Sequence, residues 1–248
     1  MIKNIIGFYY NPYSYFFLGK KERFKEKILL LRKAFILCFL SSFFIVLIIT
    51  LIIESILKAQ FDLSISENLR TNRNEFKIVN SHLESFFKIC LLGPFEEEVL
   101  FRLPLIKKNK FLLMVVILGW IDYLFPELFH LKFFSIEYNV IIFLILIGLF
   151  FNSQIPFKAE LTNLEKGSYN YLCWVLILAF GFFHIGNFAP LNWYLIYLYP
   201  IYVLPQIIYG VVMSYLTIRY NSILWSFLLH VAINSTSEIY RIIDLLIN

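Results

Sequence analysis

Long apolar runs, separated by short polar stretches, dominate the chain. The clearest run covers residues 34–57, which at about 1.5 Å per residue would extend about 36 Å as a helix, more than the roughly 30 Å hydrocarbon core of a bilayer. The other runs lie at residues 85–106, 111–130, 133–151, 170–191, 193–218 and 221–237. The pattern predicts an all-α fold, a polytopic membrane helix bundle with about seven transmembrane helices.

Two segments depart from this apolar pattern. Residues 1–33 are rich in aromatic and basic side chains, as expected of a segment lying at cytoplasmic headgroups, although a solvated tail is the alternative. Residues 58–84 are polar and predict a loop or an amphipathic connector. We therefore expect a cytoplasmic N-terminal segment, residues 1–33, followed by a membrane-embedded domain over residues 34–248.

Composition and charge support a membrane protein. Hydrophobic residues make up 60% of the chain and charged residues 16%, against roughly 45–50% and about 25% in soluble domains. The net charge is +5, and its cations are concentrated before residue 34, which indicates a cytoplasmic N-terminus and implies no nucleic acid partner. Cys38, Cys90 and Cys173 are scattered through apolar stretches, so we expect no structural disulfide. The cations of the 58–84 connector fit this topology only if residues 85–106 do not cross fully.

Three polar groups interrupt the apolar runs, where each charge at a helix centre costs roughly 2.5–3.5 kcal/mol. The first group, residues 93–102, contains Glu97, Glu98 and Arg102. Glu98 and Arg102 are four residues apart with the acid first, which favours an intrahelical ion pair. Glu97 then lies about 100° away on the helix and can face another part of the interior.

The second and third groups each contain a histidine. His184 follows Phe180 by four residues, and Asn234 follows His230 by four, so each pair shares one face of a helix. A single intramembrane histidine is usually a packing residue. Several such groups on three separate runs instead predict one shared polar site.

These residue types suit hydrolysis. Glu97 and His184 can activate a water molecule, while His230 and Asn234 can donate hydrogen bonds to the oxyanion formed when a carbonyl is attacked. Glu97, His184 and His230 are equally a donor set for a divalent metal such as zinc. The sequence leaves both mechanisms open.

The motifs resemble those of a known family. Glu97-Glu98-x-x-x-Arg102, Phe180-x-x-x-His184 and His230-x-x-x-Asn234 occur in the order typical of the CPBP (ABI) family of intramembrane endopeptidases, the CAAX proteases and bacteriocin-processing proteins. The resemblance covers about residues 85–237. It implies a membrane-embedded protease domain in which Glu97 and His184 activate water, His230 and Asn234 bind the oxyanion, and Glu98 and Arg102 support them. Leu103 departs from the family, where Gly often follows the arginine.

The resemblance implies cleavage of a membrane-associated peptide or protein at or inside the membrane. Richness in Phe, Ile, Asn and Lys favours an AT-rich bacterial genome, hence an integral protein of the cytoplasmic membrane. The alternative is a catalytically silent membrane immunity or interaction protein of the same family. An ion or proton transporter is the weaker third reading, since no inverted repeat is visible.

Overall fold

The described part of the chain is all-helical. The computed structural model describes residues 1–16, 18–19, 21–79, 82–106, 119 and 163–247, and no strand occurs among them. The predicted runs 111–130 and 133–151 lie outside the described residues, apart from residue 119. The α-helices are α1 (Ile2–Tyr10), α2 (Phe24–Ile48), α3 (Ser55–Phe61), α4 (Ile65–Val79), α5 (His82–Phe87), α6 (Gly93–Phe101), α7 (Leu103–Ile106), α8 (Asn163–Phe183), α9 (Tyr199–Tyr202), α10 (Leu204–Tyr220) and α11 (Leu224–Ile247).

Five shorter helical segments join or extend these helices in the described part of the chain. Two are π-helical, Ile49–Glu54 and Lys88–Leu92, and continue α2 and α5 respectively. The other described segments, all 3₁₀-helical, are Pro12–Tyr15, His184–Phe188 and Trp193–Leu198. The π-helical segments shift the register of the helices that contain them.

Two helices in the described part of the chain are long and apolar enough to cross a membrane. They are Phe24–Phe61 and Lys166–Phe188. The count rises to three if Trp193–Tyr202 and Leu204–Tyr220, which are bent by 40° relative to each other, form one span. The Phe24–Phe61 helix contains the predicted 34–57 run but begins earlier, at Phe24. The Glu26 carboxylate accepts the Arg23 backbone N–H at 2.9 Å and so caps the start of this helix.

The 85–106 run is not the single helix that the sequence predicted. It is divided among α5, the Lys88–Leu92 π-segment, α6 and α7. The physical reason lies in two prolines, Pro94 and Pro104, which lack the N–H that a continuous helix needs at those positions. The acidic motif is therefore carried by α6, a short helix that follows the π-segment directly and ends at Phe101.

Helix α10 forms the centre of the main core. Gly210 allows α8 to approach closely, since a Cβ added there would lie 3.2 Å from the Ile177 carbonyl oxygen. Helices α2 and α11 pack on other sides of α10. Helix α6 packs against both α8 and α11, so the polar groups of α6, of α11 and of the turn after α8 come close together.

The N-terminal segment packs onto this bundle. Phe8 of α1 is fully buried and meets the Tyr215 ring edge-on, with ring centroids 5.7 Å apart. The Tyr13 backbone N–H donates to the Asn170 side chain at 3.0 Å. Residues 1–16 are thus attached to α8 and α10 by specific contacts.

Candidate functional site

The predicted Glu98–Arg102 ion pair is present and completely buried. The Arg102 Nε lies 3.7 Å from Glu98 Oε1, and the two side chains are only 1% and 0% exposed. A lone buried charge of either sign would be very costly, so each group depends on the other.

Phe180 and Met213 enclose the guanidinium group. The Arg102 Cζ lies 3.7 Å from the centroid of the Phe180 ring, a cation–π geometry. Arg102 Nη2 also lies 3.5 Å from the Met213 sulfur. Phe180, which the sequence placed on the same face as His184, therefore links the arginine to the histidine helix.

Glu97 faces both imidazoles. Its Oε2 atom lies 3.8 Å from His184 Nε2 and 3.7 Å from His230 Nε2. Among the described residues, this oxygen has no hydrogen-bond partner. These separations are too long for direct hydrogen bonds, and a water molecule beside Glu97 Oε2 would be within bonding distance of that oxygen and of a neighbouring Nε2. The structure thus brings together three predicted site residues from α6, α11 and the turn after α8.

His184 lies just beyond the end of its helix. Helix α8 ends at Phe183, and His184 begins the 3₁₀ segment that follows. Its Nδ1 atom lies 2.7 Å from the Phe180 carbonyl oxygen. A carbonyl only accepts, so Nδ1 carries a proton, and Nε2 of the neutral ring keeps its lone pair toward Glu97.

His230 is held by the buried acid. Its Nδ1 atom lies 3.2 Å from Glu98 Oε1, where the ionised carboxylate accepts the Nδ1 proton. The imidazole is only 5% exposed. Nε2 therefore points to Glu97, and it becomes a hydrogen-bond donor when His230 is an imidazolium.

Asn234 takes a partner that the sequence did not predict. We expected its amide and His230 to open into one cavity, but its Nδ2 donates to the Ile89 carbonyl oxygen at 2.9 Å. In the π-segment the Gly93 N–H donates to the Lys88 oxygen, five residues back. The next donor in that register would be Pro94, which has none, so the Ile89 carbonyl is open to Asn234. One Nδ2 proton is donated there, and the second has no partner among the residues that the structure describes.

No family model, curated protein or solved structure matches the chain. The likeness to the CPBP family is thus a resemblance of short residue patterns. What the site can do follows from its own geometry.

The donor set does not have the spacing of a zinc site as it stands. Tetrahedral zinc with ligands at about 2.0–2.1 Å would hold its donors about 3.3 Å apart, closer than Glu97 is to either imidazole. Within the described ranges, no group of three or more His, Cys, Asp or Glu side chains is arranged to hold a metal ion.

Sequence reasoning missed the contacts that hold the site from outside. Asn68 and Asn72 of the polar connector reach the turn that follows His184, and Ile89 receives Asn234. The four-residue spacing of the two asparagines indicates a shared helix face, and Pro94 signals an open carbonyl upstream. Neither signal identifies the partner.

Proposed function

We propose that the chain is an intramembrane endopeptidase of the CPBP type, which hydrolyses a peptide bond in a membrane-associated peptide or protein. One observation carries the proposal: the Glu97 carboxylate oxygen lies within 4 Å of both Nε2 atoms, and it has no hydrogen-bond partner among the described residues. This is the arrangement needed to hold and deprotonate one water molecule.

In the first step Glu97 Oε2 accepts a proton from that water. The water oxygen forms a bond to the carbonyl carbon of the substrate, and the carbonyl π electrons move to oxygen. His184 orients the water, because the lone pair on its Nε2 accepts the second water proton as a hydrogen bond.

His230 as an imidazolium donates from Nε2 to the resulting oxyanion, and the second Nδ2 proton of Asn234 is the further donor in this role. This role requires the imidazolium form of His230, because its Nδ1 proton is already donated to Glu98.

In the second step the tetrahedral intermediate collapses. The proton held by Glu97 passes to the leaving nitrogen, directly or through His184, and the C–N bond breaks to give a carboxylic acid and an amine. The apolar walls around Phe180 keep bulk water away and strengthen these electrostatic interactions.

The activity would belong to a polytopic bundle of about seven crossings in a bacterial cytoplasmic membrane, with the N-terminus cytoplasmic. Its partners would be the bilayer and a membrane peptide or protein substrate. The 2–3 candidate spans of the described part support the membrane location.

A catalytically silent immunity or interaction protein is the second candidate. Two hydrogen bonds between helical segments favour it: Glu98 accepts from His230, and Asn234 donates to the Ile89 carbonyl. Such contacts stabilise helix association even where no reaction occurs.

The deciding experiment incubates the purified protein in lipid nanodiscs with a library of membrane peptides. Glu97→Gln and His184→Gln should each lower the cleavage rate by at least about 100-fold, because a general base contributes about 10²–10⁴-fold. Glu67→Gln, which alters an exposed acid on α4, is the matched control and should cleave normally. Cleavage should also persist in a chelator. A double variant at 97 and 184 with wild-type activity would overturn the proposal and favour the silent protein.

A further inference from the structure

The polar connector is a helix that lies against the turn carrying His184. Helix α4 places Asn68 and Asn72 four residues apart on one face. Asn68 Nδ2 donates to the carbonyl oxygens of Phe188 at 3.3 Å and Pro190 at 3.0 Å. Asn72 Nδ2 donates to the two carbonyls that alternate with these along the chain, Asn187 O at 3.1 Å and Ala189 O at 2.6 Å.

The two asparagines thus serve four consecutive carbonyls, residues 187–190. These carbonyls stand at the end of the His184–Phe188 segment, where no following helical N–H groups exist to pair with them. Each carboxamide has two N–H donors, enough for two carbonyls. We call this pair of side chains the asparagine latch.

Helix α4 is itself anchored. The Glu54 carboxylate, at the end of the π-segment after α2, accepts the Ser66 backbone N–H at 3.0 Å and the Ser64 hydroxyl at 2.7 Å. Glu54 also accepts the Tyr202 hydroxyl at 2.5 Å. These bonds fix the first turn of α4 against a long helix, so the latch joins the turn to a fixed support.

His184 needs such support because it lies outside α8. The hydrogen bond between His184 Nδ1 and the Phe180 carbonyl oxygen fixes the orientation of the imidazole at one end of the turn. Nothing in the regular hydrogen bonding of α8 fixes the other end, residues 187–190, which the latch binds.

We propose that Asn68 and Asn72 are positioning residues for His184: they hold the turn after α8 so that the imidazole stays aimed at the Glu97 water. The inference deepens the proposed function and rests on it. It assigns the polar connector a part in the site that neither its sequence pattern nor the three motifs indicate.

Loss of the latch should lower kcat and leave KM nearly unchanged, since neither asparagine is needed to bind substrate. A displacement of about 1 Å in a reacting group can cost about 100-fold in rate. We expect about tenfold for Asn68→Leu or Asn72→Leu, and about 100-fold for the double variant. Leucine is close to asparagine in shape and removes the N–H donors. Thr71→Val, at an exposed position of the same helix, is the matched control.

The decisive readout does not depend on cleavage. Protein labelled with ¹⁵N-histidine in nanodiscs is studied by solid-state NMR, and the His184 signals are assigned from their loss in His184→Gln. The double leucine variant should shift or broaden the His184 Nδ1 and Nε2 signals while the His230 signals stay in place. The Thr71→Val spectrum should match wild type.

An unchanged His184 spectrum in the double variant would overturn the inference. If the double variant fails to fold, the single variants, each of which keeps two latch bonds, decide it by the same comparison. If wild-type protein cleaves no peptide, the proposed protease function fails, and the histidine spectra still decide whether the latch positions His184.

Discussion

The carboxamide of Asn234 donates a hydrogen bond to the backbone carbonyl of Ile89 at 2.9 Å. This bond joins α11 to the π-helical segment before α6, where Pro94 cannot supply the expected donor. A residue predicted as an oxyanion donor is thus also a link between two helices.

Asn234→Leu should destabilise the protein by about 1–3 kcal/mol, because it leaves a partly buried backbone carbonyl without a donor. The free energy of unfolding in detergent, followed by tryptophan fluorescence, measures the loss. Thr236→Val is the control: it removes only the bond from an exposed hydroxyl to the Ala232 carbonyl one turn back, so stability should hardly change. Equal stabilities of Asn234→Leu and wild type would show that the Ile89 bond contributes nothing.

Arg102→Met should cost about 3–5 kcal/mol, because it leaves the Glu98 carboxylate buried without its counter-charge. Adding Glu98→Gln to that variant should restore much of the stability, so the two changes will not be additive in a double-mutant cycle. Lys58→Met with Asp62→Asn removes an exposed ion pair and serves as the control, with little effect expected. Additive losses at 98 and 102 would contradict the coupling.

Much of the helical pattern could be predicted because bilayer chemistry limits the choices. The 34–57 run reports a spanning helix by length and apolarity alone. Charges inside apolar runs need partners. The four-residue spacing of Glu98 and Arg102 therefore predicted the ion pair that these two side chains form. The convergence of Glu97, His184 and His230 followed from the same argument, applied between helices.

The remaining features depend on registers that the sequence does not display. Hydrophobic periodicity continues through a π-helical segment, so the shift at Lys88–Leu92 and the open Ile89 carbonyl leave no pattern. The partners of Asn68 are backbone carbonyls, which every residue has, so its sequence neighbours cannot identify them. Helix spacing predicts the face on which a side chain lies and not the atom that it binds.

The 3₁₀ segment Trp193–Leu198 should lie at the membrane–water interface. Trp193, Tyr194 and Tyr197 are 74%, 91% and 67% exposed, and such amphipathic rings are enriched at the headgroup level. Lipids brominated near the headgroup should therefore quench Trp193 fluorescence more than lipids brominated at the chain ends. Trp193→Phe should remove this difference, whereas Trp225→Phe, at a buried position, should retain it. Stronger quenching by the deep bromines would place the segment inside the hydrocarbon core instead.

The N-terminal segment should depend on Glu22 for its attachment to α10. The Glu22 carboxylate pairs with the Arg219 guanidinium and accepts the Tyr220 hydroxyl at 2.9 Å, while the Gly19 N–H donates to the Arg219 carbonyl at 3.0 Å. Both partners of the ion pair are mostly buried, so it is less screened by salt than a surface pair.

Glu22→Gln should weaken this attachment by about 1 kcal/mol, and trypsin should then cut at Lys21 and Arg23 about fivefold faster, since cleavage follows the population of the opened segment. The N-terminal fragment is quantified by mass spectrometry from protein in nanodiscs. Glu67→Gln makes the same charge change on exposed α4 and should leave the rate unaltered. If Glu22→Gln is cut no faster than that control, the backbone bond at Gly19 and the packing of Phe8 hold the segment without the ion pair.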